Sequence, residues 1–253
     1  MTVDGAAAVV TGGTRGLGAA IADALELRGA RVARVGRTAD RFPADISNPE
    51  QVAELAERVS AELGRPSILV NAAGVFGPIE SIRTADPDRW IETLLVNAVG
   101  PYLTCRAFVG SMVEGGWGRI VNVTSAASLH PPGVLGSAYA TAKVALNQLT
   151  RHLAADLEGT GVTANVIHPG DVKTEMWADI RDQARQLGPE GEALRRWVDW
   201  VAETGGDPPE KAVDLVLRII DSDVNGRFLW IEEPLQPPIP SWGDADAHLP
   251  WQE

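Results

Sequence analysis

The stretch TGGTRGLG, from Thr11 to Gly18, follows the short apolar run Ala6–Val10 and leads into a helical pattern at Leu17–Arg28. Glycines at a strand-to-helix turn allow the backbone to turn tightly and to approach a pyrophosphate, while the N-terminus of the next helix faces the phosphates. Without such neighbours, the same glycines would indicate only a flexible turn. In this position they predict the first βα unit of a dinucleotide-binding sheet.

The rest of the chain repeats this alternation of short apolar runs and helical patterns. Further strands are predicted at Arg31–Val35, Phe42–Ala44, Ile68–Val70, Arg119–Val123, Thr163–Ile167 and Arg227–Ile231. Further helices are predicted at Pro49–Leu63, Pro87–Val113, Tyr139–Glu158 and Pro209–Asp221. Such alternation gives parallel strands joined by right-handed crossovers, with helices on both faces. We therefore predict a doubly wound parallel α/β sheet (a Rossmann fold) of about seven strands, with ligands bound beyond the carboxyl ends of the strands.

Two segments depart from this regular pattern. Only GRTADRFPA, residues 36–44, separates Val35 from Asp45, which is too short for a helix and a strand. We expect the third helix of the fold to be missing or shortened there. Residues 232–253 contain five prolines together with Trp242 and Trp251, so they form neither a regular helix nor a central strand. We expect one domain over residues 1–231 and a tail whose residues 234–242 pack on the protein, the alternative being a disordered end.

Composition limits the classes of function. The chain has 253 residues, 45% of them hydrophobic, and a net charge of −12, which argues against binding to nucleic acid or to an anionic membrane surface. The single cysteine, Cys105, fits a reducing compartment, and the four scattered histidines show no metal-ligand spacing. We find no secretion signal at the N-terminus and no apolar run of about 20 residues, the length of a membrane span. These observations predict a cytoplasmic protein without a metal.

Tyr139 and Lys143 form a Y-x-x-x-K pair within a predicted helix, where residues four apart share a face. An ammonium beside a phenol favours the phenolate, so we expect Lys143 to lower the pKa of Tyr139 and to make it a general acid–base. The pair alone also occurs by chance on ordinary helices. It is more informative in this chain, which has two tyrosines and three lysines in all.

The residues after the second predicted strand select the cofactor. An acidic residue usually binds the ribose hydroxyls of NAD at this place. Here the chain has Gly36, Arg37 and Thr38, so no carboxylate repels a 2′-phosphate and the Arg37 guanidinium can bind one. Arg15, in the glycine stretch, adds a second positive charge. Unless both arginines are ordinary solvated residues, this pattern predicts NADP(H).

In the order of its motifs the chain resembles the short-chain dehydrogenase/reductase family, in its single-domain form. The resemblance covers about Ala6 to Ile231 and includes TGGTRGLG, NAAG at Asn71–Gly74 and HPGDVKT at 168–174. It implies cofactor-binding roles for Gly12, Thr14, Arg15, Gly16, Leu17, Gly18, Arg37, Thr38, Asp45, Ile46, Asn71, Ala72, Gly74, Tyr139, Lys143, Pro169, Gly170, Val172 and Thr174. It implies a catalytic set of Asn97, Ser125, Tyr139 and Lys143.

The resemblance also implies a role for each catalytic residue in hydride transfer between a carbonyl carbon and the nicotinamide. Tyr139 would donate the proton, Ser125 would donate a hydrogen bond to the same oxygen, and Lys143 would bind the ribose hydroxyls. Asn97 would hold a water that links Lys143 to solvent. From the residues alone, Ser125 could instead be a strand-end cap and Asn97 a locally bonded helix residue. Ser128 is a second candidate for the serine, because the spacing to Tyr139 is one residue longer than is common in the family.

Residues 175–206 correspond in the family to the lid that covers the substrate. Trp177, Trp197 and Trp200 suit a largely apolar small-molecule substrate, although they could equally pack the lid onto the core. We assign the substrate to Ser125, Tyr139 and Trp177. The resemblance implies a homo-oligomer, a dimer or tetramer. We expect an NADP(H)-dependent carbonyl reductase or alcohol dehydrogenase, the alternatives being an NAD-linked dehydrogenase working oxidatively and a non-catalytic NADP-binding protein.

Overall fold

The computed structural model describes residues 3–129, 133 and 135–231. The strands of this part are β1 (Ala7–Thr11), β2 (Arg31–Gly36), β3 (Phe42–Pro43), β4 (Pro66–Asn71), β5 (Gly118–Val123), β6 (Val162–His168) and β7 (Phe228–Trp230). Its helices are α1 (Gly16–Leu27), α2 (Pro49–Leu63), α3 (Pro87–Leu94), α4 (Gly100–Glu114), α5 (Ser137–Asp156), α6 (Glu175–Ala184), α7 (Glu192–Thr204) and α8 (Pro209–Ile220). A π-helical turn at Leu95–Val99 joins α3 to α4, and 3-10 turns lie at Ala126–Ser128 and Pro189–Gly191.

The seven strands form one parallel sheet in the order β3-β2-β1-β4-β5-β6-β7. The chain passes from the centre to one edge, returns, and continues to the other edge, so the order reverses between β1 and β4. The crevice beyond the carboxyl ends of these two strands is the place where this topology binds ligands. The doubly wound parallel fold predicted from the sequence is confirmed.

Strand β1 shows why both faces of the sheet are covered. All five of its residues are buried, and alternate side chains point to opposite faces. Ala7 and Val9 belong to the core formed with α2 and α4, whereas Ala8 and Val10 belong to the core formed with α1 and α8. A strand buried on both sides has an unbroken apolar sequence, which is typical of parallel sheets.

Two features of the element order shape the site, of which the first was predicted and the second was not. No helix lies between β2 and β3, as the short connection predicted. The helix expected over Pro87–Val113 is interrupted by the π turn, which a 3.6-residue pattern does not reveal. The predicted lid consists of α6 and α7, which we call the α6–α7 hairpin. The predicted tail, residues 232–253, lies outside the described residues.

Two features are absent from the described part of the chain. None of its helices combines the length and the apolar character needed to cross a membrane. Its histidine, cysteine, aspartate and glutamate side chains do not gather in threes or more around a point where a metal ion could be held.

Candidate active site

Tyr139 and Lys143 lie one turn apart on α5, beside the carboxyl end of β5. The Lys143 Nζ atom is 5.5 Å from the centre of the Tyr139 ring. Lys143 is only 4% exposed, and its Nζ atom donates a 2.8 Å hydrogen bond to the carbonyl oxygen of Val123, the last residue of β5. The structure therefore brings the pair together as predicted and fixes the lysine to the edge of the sheet.

The protonation of this pair differs from the prediction. Burial raises the pKa of Tyr139 to about 12, although a hydrogen bond with the Ser125 side chain acts in the opposite direction. Burial also lowers the pKa of Lys143 to about 8. The expectation that Lys143 lowers the tyrosine pKa is thus wrong for this structure, because removal from water penalises both charged forms. A phenol that stays protonated at neutral pH suits a proton donor.

Ser125 lies next to Tyr139, while Ser128 faces the core. The Ser125 side chain is hydrogen-bonded to the Tyr139 phenol and also accepts a 3.2 Å bond from the amide of Ala127, so it is both a cap and a site residue. Ser128 donates a 2.6 Å hydrogen bond to the Ser125 carbonyl oxygen and accepts one of 2.9 Å from Asn147. Ser128 is therefore not the serine that meets the phenol. It supports the turn that carries Ser125.

Asn147 is a site-supporting residue that the sequence analysis missed. It is buried on α5, one turn after Lys143, and accepts a 2.7 Å hydrogen bond from the Thr124 hydroxyl in addition to its bond with Ser128. The Ser125 turn is thereby held on both sides by one side chain. The i, i+4 spacing from Lys143 was the available signal, but it does not show what the amide contacts.

Asn97 lies within the π turn and is fully buried. Its Nδ2 atom donates to the carbonyl oxygens of Val75 at 2.7 Å and Thr93 at 2.9 Å, and its Oδ1 atom accepts from the Val75 amide at 3.2 Å. Both N–H groups are thus used, and a water could be held by this side chain only through its oxygen. A Cβ atom at Gly74 would lie 2.7 Å from the Asn97 Oδ1 and 3.8 Å from the Lys143 Nζ, which places these residues together.

Phe76 is the second residue that the sequence analysis missed. Its ring stacks on the Tyr139 ring, with the centres 4.7 Å apart and the planes at 28°. It also packs against the apolar cluster that holds Trp177 and Ile180 of α6 and Val198 of α7. Phe76 follows Val75, whose backbone is hydrogen-bonded to Asn97. These bonds fix the backbone next to the stacked aromatic ring. Trp177, predicted to face the substrate, is only 4% exposed within this cluster.

The glycine turn forms a cradle at the carboxyl end of β1. Gly12 has a φ of +67°, and a Cβ atom there would lie 2.9 Å from the backbone of Ala73, so no other residue fits. The Asn71 side chain does not face this cradle, because its amide donates to Asn122 at 2.9 Å and its oxygen accepts from Thr104 at 2.8 Å in the core. Any contact of Asn71 with a nucleotide would therefore use its backbone.

The missing helix leaves an open cavity of about 570 Å³ beyond β2 and β3. Its lining consists of Arg37, Pro43, Ala44, Asp45, Gln51, Glu54, Leu55 and Arg58. Hydrogen bonds from Ser47 and, to a smaller extent, the nearby Arg37 charge hold the pKa of Asp45 below its usual value. The predicted residues Arg37 and Asp45 thus lie together, and Arg58 is a further cation that sequence reasoning did not find.

The segment HPGDVKT leads from β6 to α6 and lies beside the glycine turn. The Thr174 hydroxyl caps α6 by accepting a bond of 3.5 Å from the Trp177 amide. A Cβ atom at Gly16 would lie 3.3 Å from the Glu175 Oε2 and 3.8 Å from the Thr174 Cγ2. This segment therefore lies against the glycine cradle at the carboxyl end of the sheet, the edge where this topology binds ligands.

Comparison with known proteins agrees with this geometry. A D-threitol dehydrogenase from Mycolicibacterium smegmatis is 36% identical over 215 residues, which cover 78% of this chain and 79% of the relative. An NADPH-dependent aldehyde reductase-like chloroplastic protein from Arabidopsis thaliana is 33% identical, covering 69% and 75%. The solved structure of the KRED1-Pglu enzyme superposes with a TM-score of 0.79 at 30% identity, covering 88% of this chain and 100% of that one.

The family model described as short chain dehydrogenase matches residues 6–185, which is more than half of the chain. The matched region includes the glycine cradle, Asn97, Ser125 and the α5 pair. With the fold and the sequence relatives in agreement, the chain belongs to the short-chain dehydrogenase/reductase family of oxidoreductases, which interconvert alcohols and carbonyl groups with a nicotinamide cofactor.

Proposed function

We propose that this protein is a cytoplasmic, NADP(H)-dependent carbonyl reductase or alcohol dehydrogenase that acts on a small, largely apolar substrate. The hydrogen-bonded pair of Ser125 and Tyr139, placed one turn from the buried Lys143, is the observation that carries the proposal. A protein that only binds a nucleotide would not need a phenol beside a buried lysine, since burying an ammonium lowers stability.

In the reductive direction a carbonyl carbon gains a hydride and its oxygen gains a proton. When bound, NADPH supplies the hydride. Tyr139 donates the proton, and Ser125 donates a hydrogen bond that stabilises the charge developing on the same oxygen. Lys143 has three N–H donors, of which Val123 accepts one, and the others can bind ribose hydroxyls. Asn97 fixes the loop beside Lys143 through Val75.

Two features support the substrate class and the cofactor. The stacked Phe76 and the apolar cluster of the α6–α7 hairpin give the catalytic phenol an apolar surrounding. Arg37 is exposed at the rim of the cavity beyond β2, where no acidic residue precedes it, and this favours a 2′-phosphate. The resemblance to a D-threitol dehydrogenase keeps an oxidative reaction on a polar alcohol as the second candidate.

The substrate question is decided by following NADPH consumption with a panel of ketones, aldehydes and quinones, and NADP⁺ or NAD⁺ reduction with sugar alcohols such as threitol. We expect the highest kcat/KM for an apolar carbonyl compound with NADPH. Higher kcat/KM for a sugar alcohol with NAD⁺ would favour the NAD-linked alternative. No turnover with any compound, with nucleotide still bound, would favour the non-catalytic one.

Replacing Arg37 with alanine is expected to weaken NADPH binding by roughly 10- to 100-fold, because hydrogen bonds to a charged group contribute about 1.5–3 kcal/mol. Binding of NADH, which lacks the 2′-phosphate, should hardly change. Both dissociation constants can be measured by nicotinamide fluorescence. The matched control is Arg65→Ala. Arg65 is an exposed arginine directly before β4 and forms an ion pair with Glu114. Equal losses for both nucleotides, or a wild type that prefers NADH, would show that NADP(H) is the wrong cofactor.

We further propose that the protein is a homo-oligomer, most simply a tetramer with two-fold axes. Large apolar side chains remain exposed along α3 to α5 in the single chain, namely Ile91 (52%), Leu95 (39%), Tyr102 (47%), Val113 (39%) and Val144 (50%). Such a surface favours self-association. Light scattering at micromolar concentration should give a multiple of 26.9 kDa. Val144→Asp should reduce this mass, whereas Leu27→Asp, at an exposed side chain on the last turn of α1, should not. A monomer mass for the wild type would contradict the proposal.

A further inference from the structure

Asp171, in the middle of HPGDVKT, is bonded through its backbone and its side chain to the far end of the α6–α7 hairpin. Its amide donates to the Asp207 Oδ2 at 3.0 Å, and its carbonyl oxygen accepts from the Asp207 amide at 3.1 Å. Its carboxylate Oδ1 accepts a 3.0 Å hydrogen bond from the indole Nε1 of Trp197 on α7. Asp171 precedes the hairpin and Asp207 follows it. Through these bonds Asp171 connects the beginning of the hairpin to its end and to α7.

The hairpin touches both halves of the crevice. At its start, Thr174 and Glu175 lie against Gly16 of the glycine turn. Further along, its apolar cluster packs on Phe76, whose ring stacks on Tyr139. A shift of the hairpin would therefore change the surroundings of the phosphate cradle and of the catalytic phenol together.

We infer that Asp171 and Trp197 are positioning residues, whose hydrogen bond couples occupation of the cofactor site to closure of the α6–α7 hairpin over Tyr139. The inference rests on the proposed function in that Pro169, Gly170, Val172 and Thr174, the neighbours of Asp171, are the residues proposed to hold the nicotinamide end. A hydrogen bond from an indole N–H to a carboxylate is charge-assisted and has a defined direction. It is therefore suited to transmit a small shift of the segment to α7.

Coupling of this kind is reciprocal, so bound nucleotide should protect the hairpin from local opening. The hairpin contains exposed arginines, Arg185 and Arg196, at which trypsin can cut when it opens. In the wild type, saturating nucleotide should slow cleavage there by roughly tenfold, within the usual range of coupling between sites. The digestion is run with whichever of NADPH and NADH binds more tightly, so that an error in the assigned cofactor does not affect this test.

Trp197→Phe keeps an aromatic ring but removes the N–H group. We expect nucleotide to protect the hairpin of this variant by only about twofold or less, and the KM for the carbonyl substrate to rise roughly tenfold while kcat changes little. Nucleotide affinity should fall by no more than the protection that is lost, because the coupling is reciprocal. Asp171→Asn retains an oxygen acceptor and should keep most of the protection, whereas Asp171→Ala should not.

The matched control is Trp200→Phe, on the same helix, where the side chain is 49% exposed. Its protection and KM should equal those of the wild type. The inference is overturned if nucleotide binds the wild type without protecting the hairpin, if Trp197→Phe is protected as well as the wild type, or if Trp200→Phe is impaired to the same extent. Failure of the proposed function would appear separately, as absence of turnover with protection intact.

Discussion

Replacing Tyr139 with phenylalanine is expected to lower kcat by roughly 10²–10⁴-fold, the usual contribution of a general acid. The change removes one oxygen atom and leaves the ring that stacks on Phe76, so the apolar wall of the site is retained. Binding of NADPH should be nearly unaffected, because the contacts proposed for the nucleotide lie mainly at the glycine cradle and Arg37. The measurements are steady-state kcat and KM together with NADPH affinity by fluorescence.

The control for this experiment is Tyr102→Phe, which changes the other tyrosine of the chain. Tyr102 lies on α4 with 47% of its surface exposed, away from the serine turn. Its variant should keep the kcat of the wild type. If Tyr139→Phe also keeps that kcat, the phenol is not the proton donor and the mechanism proposed above fails.

The sequence predicts where the α5 pair and the glycine turn lie, because each of them belongs to a local motif. Tyr139 and Lys143 share a helix face by their spacing, and the glycine turn lies between a strand and a helix, so short-range geometry is sufficient to place them. The motif alone does not distinguish Ser125 from Ser128, since both serines lie on the same turn. Only the three-dimensional contacts show that Ser128 bonds to Asn147 and that Ser125 meets the phenol.

The residues that the sequence did not reveal act across the fold. Phe76 reaches Tyr139 from a loop more than sixty positions earlier, and Asp171, in the segment between β6 and α6, meets Trp197 of α7. No periodicity records such pairs, because they depend on how the elements pack. The same holds for Arg58, which lines the cavity beyond β2 and β3, where no helix joins the two strands.

The fold, like the site, has parts that the local sequence predicts and parts that it does not. The alternation of strands and helices predicts the sheet, and the nine residues between Val35 and Asp45 predict the missing helix. The π turn at Leu95–Val99 was not predicted, since one extra residue in a turn hardly disturbs an apolar stripe. That turn carries Asn97 to the Gly74 loop, and π turns inside helices are frequent at functional sites.

The expected direction of the tyrosine pKa was wrong because sequence spacing gives proximity but not solvation. An exposed ammonium would lower the pKa of the phenol, as the pair rule states. In the folded chain Lys143 is 4% exposed and its ammonium is bonded to the Val123 carbonyl. The penalty for losing water then dominates the pKa of Tyr139, and it acts on the lysine as well.

Replacing Lys143 with methionine is expected to abolish most of the turnover and to remove a pH dependence of stability. The pKa of Lys143 is lowered by burial from 10.5 to about 8, so the unfolded chain binds this proton more tightly than the folded one. Relative to this variant, the wild type should therefore gain stability as pH rises from about 8 to 10.5, by about 3 kcal/mol over the whole window. Methionine has no proton to lose, so its variant should lack that gain.

At pH 7 the two proteins should be similarly stable, because two effects oppose each other. Methionine avoids the free-energy cost of burying a charge, but it leaves the Val123 carbonyl without its donor, which costs about 1–3 kcal/mol. Urea unfolding of the nucleotide-free proteins at pH 7, 8, 9 and 10 measures the difference. The raised pKa values of Tyr139 and Cys105 do not enter this difference, because both groups are present in both proteins. Lys211→Met, which removes a lysine that is 46% exposed, should unfold with the pH profile of the wild type. If the free energies of unfolding of Lys143→Met and the wild type changed in parallel with pH, burial of the Lys143 ammonium would not destabilise the fold. The free-energy cost of forming the site would then lie in other residues.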